Sequence, residues 1–206
     1  TVFSILLFLS CSFSIAQSTD FEIKEWTNST DKPLLFYISG DGGFNSFSTE
    51  LCQSLQKEGY YVIALNAKTY FWKKKTPAET ATAIENYIQK KNAGRQNKQI
   101  VLAGYSFGAD VLPFIVNRLS TNVIAHLTYS ILIAASGSTD FEIHWSDMFG
   151  SSKKRSMDVA DEINRCTGKI AHISATNNEM DESKIRIKNY QHSVLPGSHQ
   201  IGRAHV

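Results

Sequence analysis

Runs rich in apolar residues, without polar alternation, punctuate the chain at residues 33–38, 61–65, 99–103, 128–134, 169–174 and 189–195. Such runs suit strands buried on both faces. Between them lie segments with helical spacing. Phe47, Leu51 and Leu55 share one face, and Gly59 follows as a stop. Thr76, Pro77 and Glu79 predict a capped helix start, with Ala81, Ile84, Tyr87 and Ile88 as the buried stripe. A helix after residue 106 carries Pro113 one turn in, with Val116 and Leu119 near its end, and residues 157–163 predict a short further helix. Strands alternating with amphipathic helices predict an α/β fold with a mostly parallel sheet and helices on both faces. Right-handed crossovers place every strand's C-terminal end on one edge, where ligands bind. That edge should gather residues 39–43, Ser106, the segments after Ala134 and Ser174, and His199.

The run Gly104-Tyr105-Ser106-Phe107-Gly108 joins a predicted strand directly to a predicted helix. In that context Gly-x-Ser-x-Gly is a nucleophile elbow. A serine on so sharp a turn needs small residues two before and two after it. The Phe107 N–H, at the helix start, faces a developing oxyanion. A hydroxyl also needs a base and a group that orients the base. His199, in a Pro-Gly-Ser-His turn after the last strand, is the expected base. His126 falls at the wrong edge, His144 in an insertion, and His172 and His192 in strands. The acid should follow the strand ending near Ser174, where Glu179 and Asp181 are both candidates and Asp140 stands behind them. Gly40 and Gly42 let backbone amides approach the substrate as a second oxyanion donor. Asp41 between them suits either a cationic substrate group or a cap on the following helix.

At 206 residues and 42% hydrophobic content, the chain supports one ordinary domain. A net charge of +2, with both signs spread along the chain, carries no nucleic-acid signature. The basic clusters Lys73-Lys74-Lys75 and Lys153-Lys154-Arg155 read as solvated surface. No metal or cofactor motif is evident. The apolar core at residues 2–10, with Ser14 and Ala16 before Gln17, predicts a cleaved, N-terminally incomplete signal peptide over residues 1–16. The mature domain, 17–199, is therefore expected outside the cytoplasm. There Cys52 and Cys166 are free to pair, although two buried thiols are the simpler expectation. The hexapeptide Ser-Thr-Asp-Phe-Glu-Ile occurs at 18–23 and 138–143 with unlike flanks, which predicts no repeat architecture.

The extended elbow through Ala109-Asp110-Val111-Leu112-Pro113-Phe114, with Asn117-Arg118-Leu119, resembles the VirJ/AcvB family of periplasmic α/β-hydrolase-like proteins of Gram-negative bacteria. Ser39-Gly40-Asp41-Gly42-Gly43-Phe44, Ala64-Leu65-Asn66, Tyr70-Phe71-Trp72, Lys75-Thr76-Pro77, residues 140–144 and Leu195-Pro196-Gly197-Ser198-His199 extend the resemblance over most of the mature chain. It implies an α/β-hydrolase-like fold and a serine esterase of aminoacylated phosphatidylglycerol, above all the lysyl form, at the membrane surface. It also implies a link to virulence, type IV secretion and secretion-system partners. Ser106 and His199 match the family's nucleophile and base, and Glu179 and Asp181 its acidic loop. The glycine usual before that loop is replaced around Thr176. Asp41 is placed to meet a lysyl ammonium, and Tyr70-Phe71-Trp72 either to form an apolar wall or membrane-facing rim or, equally, to pack in the core and its turn. The family's His-His-Phe is here His199-Gln200-Ile201. Residues 200–206 can be read from CAG ATC GGA AGA GCA CAC GTC, which resembles sequencing-adapter DNA. They are therefore expected to be a non-native tail on a C-terminally truncated domain.

Two other functions fit the same residues. One is a lipase or thioesterase with another acyl substrate. The other is a non-catalytic binding protein that escorts secretion substrates on a hydrolase scaffold.

Overall fold

The computed structural model describes residues 21–28, 31–144, 155–177 and 180–196. The expected leader, Lys153, Lys154, Glu179, His199 and the 200–206 tail lie outside the described residues.

A seven-stranded sheet forms the centre, in the order β1-β3-β2-β4-β5-β8-β9. Its strands are β1 (Ile23–Trp26), β2 (Leu34–Ile38), β3 (Tyr61–Leu65), β4 (Ile100–Tyr105), β5 (Leu127–Ile133), β8 (Ile170–Ala175) and β9 (Tyr190–Leu195). All neighbours pair in parallel except β1 with β3. A separate two-stranded ribbon joins β6 (Ser138–Thr139) to β7 (Met157–Asp158). The chain moves from β2 outward to β3, then returns to the other side of β2 as β4. That reversal opens a crevice at the C-terminal ends of β2 and β4, the place where open α/β sheets bind ligands.

Helix α1 (Ser46–Lys57) covers one face, where Cys52, Leu51 and Leu55 meet Leu35, Tyr37, Val62 and Ala64. Helices α3 (Pro77–Asn92), α4 (Phe107–Val116) and α6 (Val159–Ile163) cover the other, against Leu34, Phe36, Ile38, Ile63 and Leu102. Each end signal has a visible cause. The Thr76 hydroxyl accepts the Glu79 N–H at 3.2 Å, and Gly59 sits at φ 97° just past α1. Short helices α2 (Ala67–Tyr70) and α5 (Thr121–Ile124) fill the connections. No helix among the described residues is long and apolar enough to cross a membrane.

Several short elements differ from the sequence expectation. The run from Met157 is a strand residue pair first, and α6 begins only at Val159, capped by the Asp158 carboxylate accepting from the Asp161 N–H. Strand β1 was not expected, because four residues of mixed polarity carry too little apolar pattern. Cys52 and Cys166 are unpaired, buried and packed on opposite faces of the sheet. Burial pushes each thiol up to about 12, which leaves them as inert packing groups.

Glu25 holds β1 to the rest of the fold. Its carboxylate accepts hydrogen bonds from Tyr61 and, at 2.5 Å, Tyr87, and pairs with Lys91 at 2.7 Å. Burial pushes the Glu25 carboxyl up, but the Lys91, Tyr61 and Tyr87 hydrogen bonds outweigh it, and its pKa lies below the ordinary glutamate value. A depressed carboxyl stabilises the fold above the unfolded value of about 4.3 and loses that contribution as pH falls through the folded value. Glu25→Gln should therefore cost about 1–3 kcal/mol near neutrality. Denaturant melts between pH 7 and 3 should also show a shallower acid decline for the variant than for the unmutated chain.

Candidate active site

Ser106 joins β4 to α4 at φ 51° and ψ −119°, a backbone conformation side chains rarely adopt. Its N–H is spent on the Ile133 carbonyl at 2.8 Å, and its own carbonyl accepts from the Ala109 and Asp110 amides. The bracketing glycines are required sterically. A Cβ on Gly104 would lie 2.3 Å from the Gly108 carbonyl oxygen, and one on Gly108 would lie 2.2 Å from the Ile38 carbonyl oxygen. The start of α4 is thereby pressed against the end of β2. The flanking aromatics are anchored on separate neighbours: Tyr105 against Phe47 at 4.5 Å, Phe107 against Phe71 at 5.1 Å. Phe107 N–H is the first helical amide and has no intrahelical acceptor, so it is oriented for an anion beside Ser106.

The loop after β2 closes against the elbow. A Cβ on Gly40 would meet Tyr105 Cδ1 at 3.2 Å and Ser106 Cβ at 3.4 Å. Ser39 Oγ accepts the Ala67 N–H at 2.9 Å, and the Gly40 carbonyl accepts the Gly43 N–H at 3.0 Å, which fixes the turn. Gly43 sits at φ 68° with Asn66 Oδ1 where a Cβ would project. The Asp41 carboxylate accepts the Gly42 N–H at 2.9 Å. It does not cap the next helix: Asn45 does, accepting from the Ser48 N–H at 2.9 Å. The capping role expected for Asp41 therefore falls away.

Tyr70 is a core residue rather than a wall of the site. It is buried, edge-on to Phe21 and Phe71, with the Lys75 ammonium over its ring. Phe71 is buried too, and of the three aromatics only Trp72 is exposed. The reason is tertiary: α2 turns both inward, Tyr70 onto Phe21 and Phe71, and Phe71 onto Phe107 and Phe141.

Asp181 lies past the C-terminal end of β8, exposed, with its carboxylate accepting from Ser183 N–H at 3.1 Å and Ser183 Oγ at 2.6 Å. Those hydrogen bonds hold its pKa below the usual carboxylate value. Asp140 is occupied by His144 Nε2 at 2.8 Å. His126 is half-buried at the opposite edge, its Nδ1 2.8 Å from the Asn122 carbonyl. His172 and His192 are cross-strand neighbours on β8 and β9.

Asp110 has a part that the sequence motif did not disclose. It is buried in the first turn of α4 and accepts from the Ser136 N–H at 2.6 Å and Ser136 Oγ at 2.9 Å. It thereby fastens the elbow helix to the segment after β5, where Ala134 also takes positive φ, 54°. A lone carboxylate on an otherwise apolar helix was the available signal.

Topology, elbow and facing glycine loop define a protein of the α/β-hydrolase class, with Ser106 at the nucleophile-elbow position. The model of the bacterial virulence protein (VirJ) family matches residues 31–205, and the chain belongs to that family. No curated protein matches it in sequence. Among solved structures it is similar to Est1E from Butyrivibrio proteoclasticus with bound ferulic acid (13% identity, TM-score 0.59, 87% of this chain and 88% of that one). It is also similar to a lipase-esterase related protein from Clostridium acetobutylicum ATCC 824 (13%, 0.57, 86% and 92%). A third likeness is to the thioesterase domain from the curacin biosynthetic pathway (11%, 0.57, 86% and 89%). At these identities the likeness is one of fold.

The steric argument is directly testable. Gly108→Ala should lose about 3 kcal/mol or more, or fail to fold, because backbone and not a movable side chain fills the space. Ser106→Gly should melt higher than Ser106→Ala by about 1 kcal/mol, since only glycine relaxes at that φ. Equal melting temperatures would show the turn to be unstrained.

Proposed function

We propose that this chain is a periplasmic serine esterase that cleaves the aminoacyl ester of aminoacylated phosphatidylglycerol, with the lysyl form as its preferred substrate. The observation that carries the serine mechanism is the strained Ser106 set against the Gly40 turn, with the Phe107 amide open at the helix start. Ser106 Oγ attacks the ester carbonyl while His199 takes its proton. The oxyanion meets Phe107 N–H and the Gly40 or Asp41 amide of the turn after β2, the Gly42 N–H being held by the Asp41 carboxylate. Collapse expels the lipid alcohol, which takes the proton from His199. Water, activated by the same imidazole, then frees the amino acid from Ser106. Asp181 or Glu179 orients the imidazole.

Support for the cationic acyl group comes from Asp41. Its carboxylate stands on the loop that touches Ser106 and is tied only to its own turn among the described residues. An ammonium pairs readily with such a carboxylate. The leader-like residues 1–16 and the family resemblance support the periplasm, the lipid surface and a secretion-linked role. A different acyl ester or thioester remains the second reading, favoured by the esterase and thioesterase folds the chain is similar to.

The purified chain should release lysine from lysyl-phosphatidylglycerol vesicles, and Ser106→Ala should lower the rate about a thousandfold or more. Unchanged turnover in Ser106→Ala would end the serine mechanism. Of Asp181→Asn and Glu179→Gln, the true acid should cost about a hundredfold or more, and the other little. Asp41→Asn should reduce the preference for lysyl over alanyl esters about five- to fiftyfold while sparing turnover of an uncharged ester. An unchanged preference would remove Asp41 from substrate recognition.

A further inference from the structure

Among the described residues, the exposed large apolar side chains are Trp72, Val194 and Leu195. All three stand at or beyond the C-terminal ends of strands, on the edge that holds Ser106. Trp72 differs from the other two in its company. It opens the run Trp72-Lys73-Lys74, every member of which is exposed. The run is held at both ends by the segment after β5. The Ile143 N–H donates to the Phe71 carbonyl at 2.8 Å, and the Lys75 N–H donates to the Phe141 carbonyl at 2.8 Å. Phe71 itself is fully buried and packs on Phe107, the residue after the elbow serine, with ring centres 5.1 Å apart. Three exposed residues are thus presented on a fixed base beside the candidate active site.

The charge around this run is one-sided. Residues 59–78 contain no aspartate or glutamate but carry Lys68, Lys73, Lys74 and Lys75. Carboxylates of adjoining segments are engaged with their own neighbours: Glu22 accepts from Asn66 and Thr69, Glu79 accepts from Thr76, and Asp140 pairs with His144. Glu142, between the two clamping residues, is half-buried and offsets one of the charges, so the lysines remain in excess. Lys75 turns back, its ammonium 5.0 Å from the centre of the Tyr70 ring, whereas Lys73 and Lys74 are exposed.

A tryptophan beside lysines suits the boundary of an anionic bilayer. The indole sits at the level of the headgroups, and the ammoniums gain from a negative lipid surface. An acidic protein would fit less well. Three residues offer far less than the roughly 800 Å² per partner of a stable protein interface, whereas a bilayer requires no matching shape. We propose that Trp72, Lys73 and Lys74 form the docking surface by which this chain meets an anionic phospholipid bilayer. Trp72 enters at headgroup level, and the two ammoniums meet lipid phosphates. The contact is weak and reversible, as one aromatic and two cations allow. It turns the C-terminal edge of the sheet, with Ser106, toward the lipid. The choice of a bilayer rests on the lipid-ester reading, while the docking itself needs no step at Ser106.

The test is co-sedimentation of the full chain with lipid vesicles, in the Ser106→Ala background so that no lipid is consumed. Binding should be about tenfold or more tighter to vesicles containing phosphatidylglycerol than to pure phosphatidylcholine, and should weaken as salt is raised. Trp72→Ala, and Lys73→Gln together with Lys74→Gln, should each lower binding to the anionic vesicles about tenfold. With Ser106 restored, the same variants should hydrolyse soluble p-nitrophenyl butyrate within about twofold of the unmutated rate. Variants that bind as the unmutated chain does, or no preference for anionic lipid, would overturn the proposal. Tighter binding to soluble poly-glutamate than to the vesicles at matched charge would assign the patch to an acidic polypeptide and overturn it too. Lysine release from lysyl-phosphatidylglycerol in phosphatidylglycerol vesicles separates the two readings. Release that survives undiminished in the docking variants would overturn the docking surface alone. Vesicle binding with no release by the unmutated chain would remove the ester reading and keep the surface.

Discussion

The contact between the start of α4 and the end of β2 is the constraint on which the candidate site depends. With no side chain at Gly108, its backbone lies against the Ile38 carbonyl, and Gly104 leaves room for the same turn from below. This closeness brings Ser106 beside the Gly40 loop, so that the elbow serine and the glycine turn facing it come from two strands adjacent in the sheet but far apart in sequence. The strain at Ser106 is held by its surroundings. Its amide is fixed by β5, its carbonyl by the first turn of α4, and α4 itself by Asp110 to Ser136.

Buried or half-buried carboxylates recur as fasteners where apolar packing thins out. Glu25 ties the antiparallel edge strand to β3 and α3 through Tyr61, Tyr87 and Lys91. Glu182 does the same near the opposite edge through His172 and Tyr190. Glu162 lies buried between Arg118 and Arg165 under α4 and α6. An edge strand has only one neighbour and less apolar surface to bury, so a charge-assisted hydrogen bond counts for more there than a further methyl group. Each of the three reaches at least one partner outside its own element, and only Glu162 adds a local one, Arg165 at i+3.

Most of the central sheet was legible because continuous apolar runs have few alternatives to a buried parallel strand. The elbow was legible for a different reason: its glycines answer a local steric demand that any such strand-turn-helix imposes. Strand β1 and the Ser138–Thr139 ribbon were not, since a strand this short takes its pattern from its partner. The Tyr70-Phe71-Trp72 run was ambiguous for a related reason. Three adjacent aromatics carry no information about which of them faces the core, and α2 turned two of them inward.

The sequence by itself determined the strand-elbow-helix at Ser106, the parallel sheet and the edge on which chemistry gathers. These follow from backbone sterics and hydrophobic periodicity, which act over a few residues. Only the tertiary structure decided that Asn45 rather than Asp41 caps α1, leaving Asp41 at the site, and that Asp110 locks the elbow to Ser136. It alone brought Glu182 between His172 and Tyr190. A side chain's partner is set by where the fold brings distant backbone together, and the residues on either side of it carry no trace of that meeting.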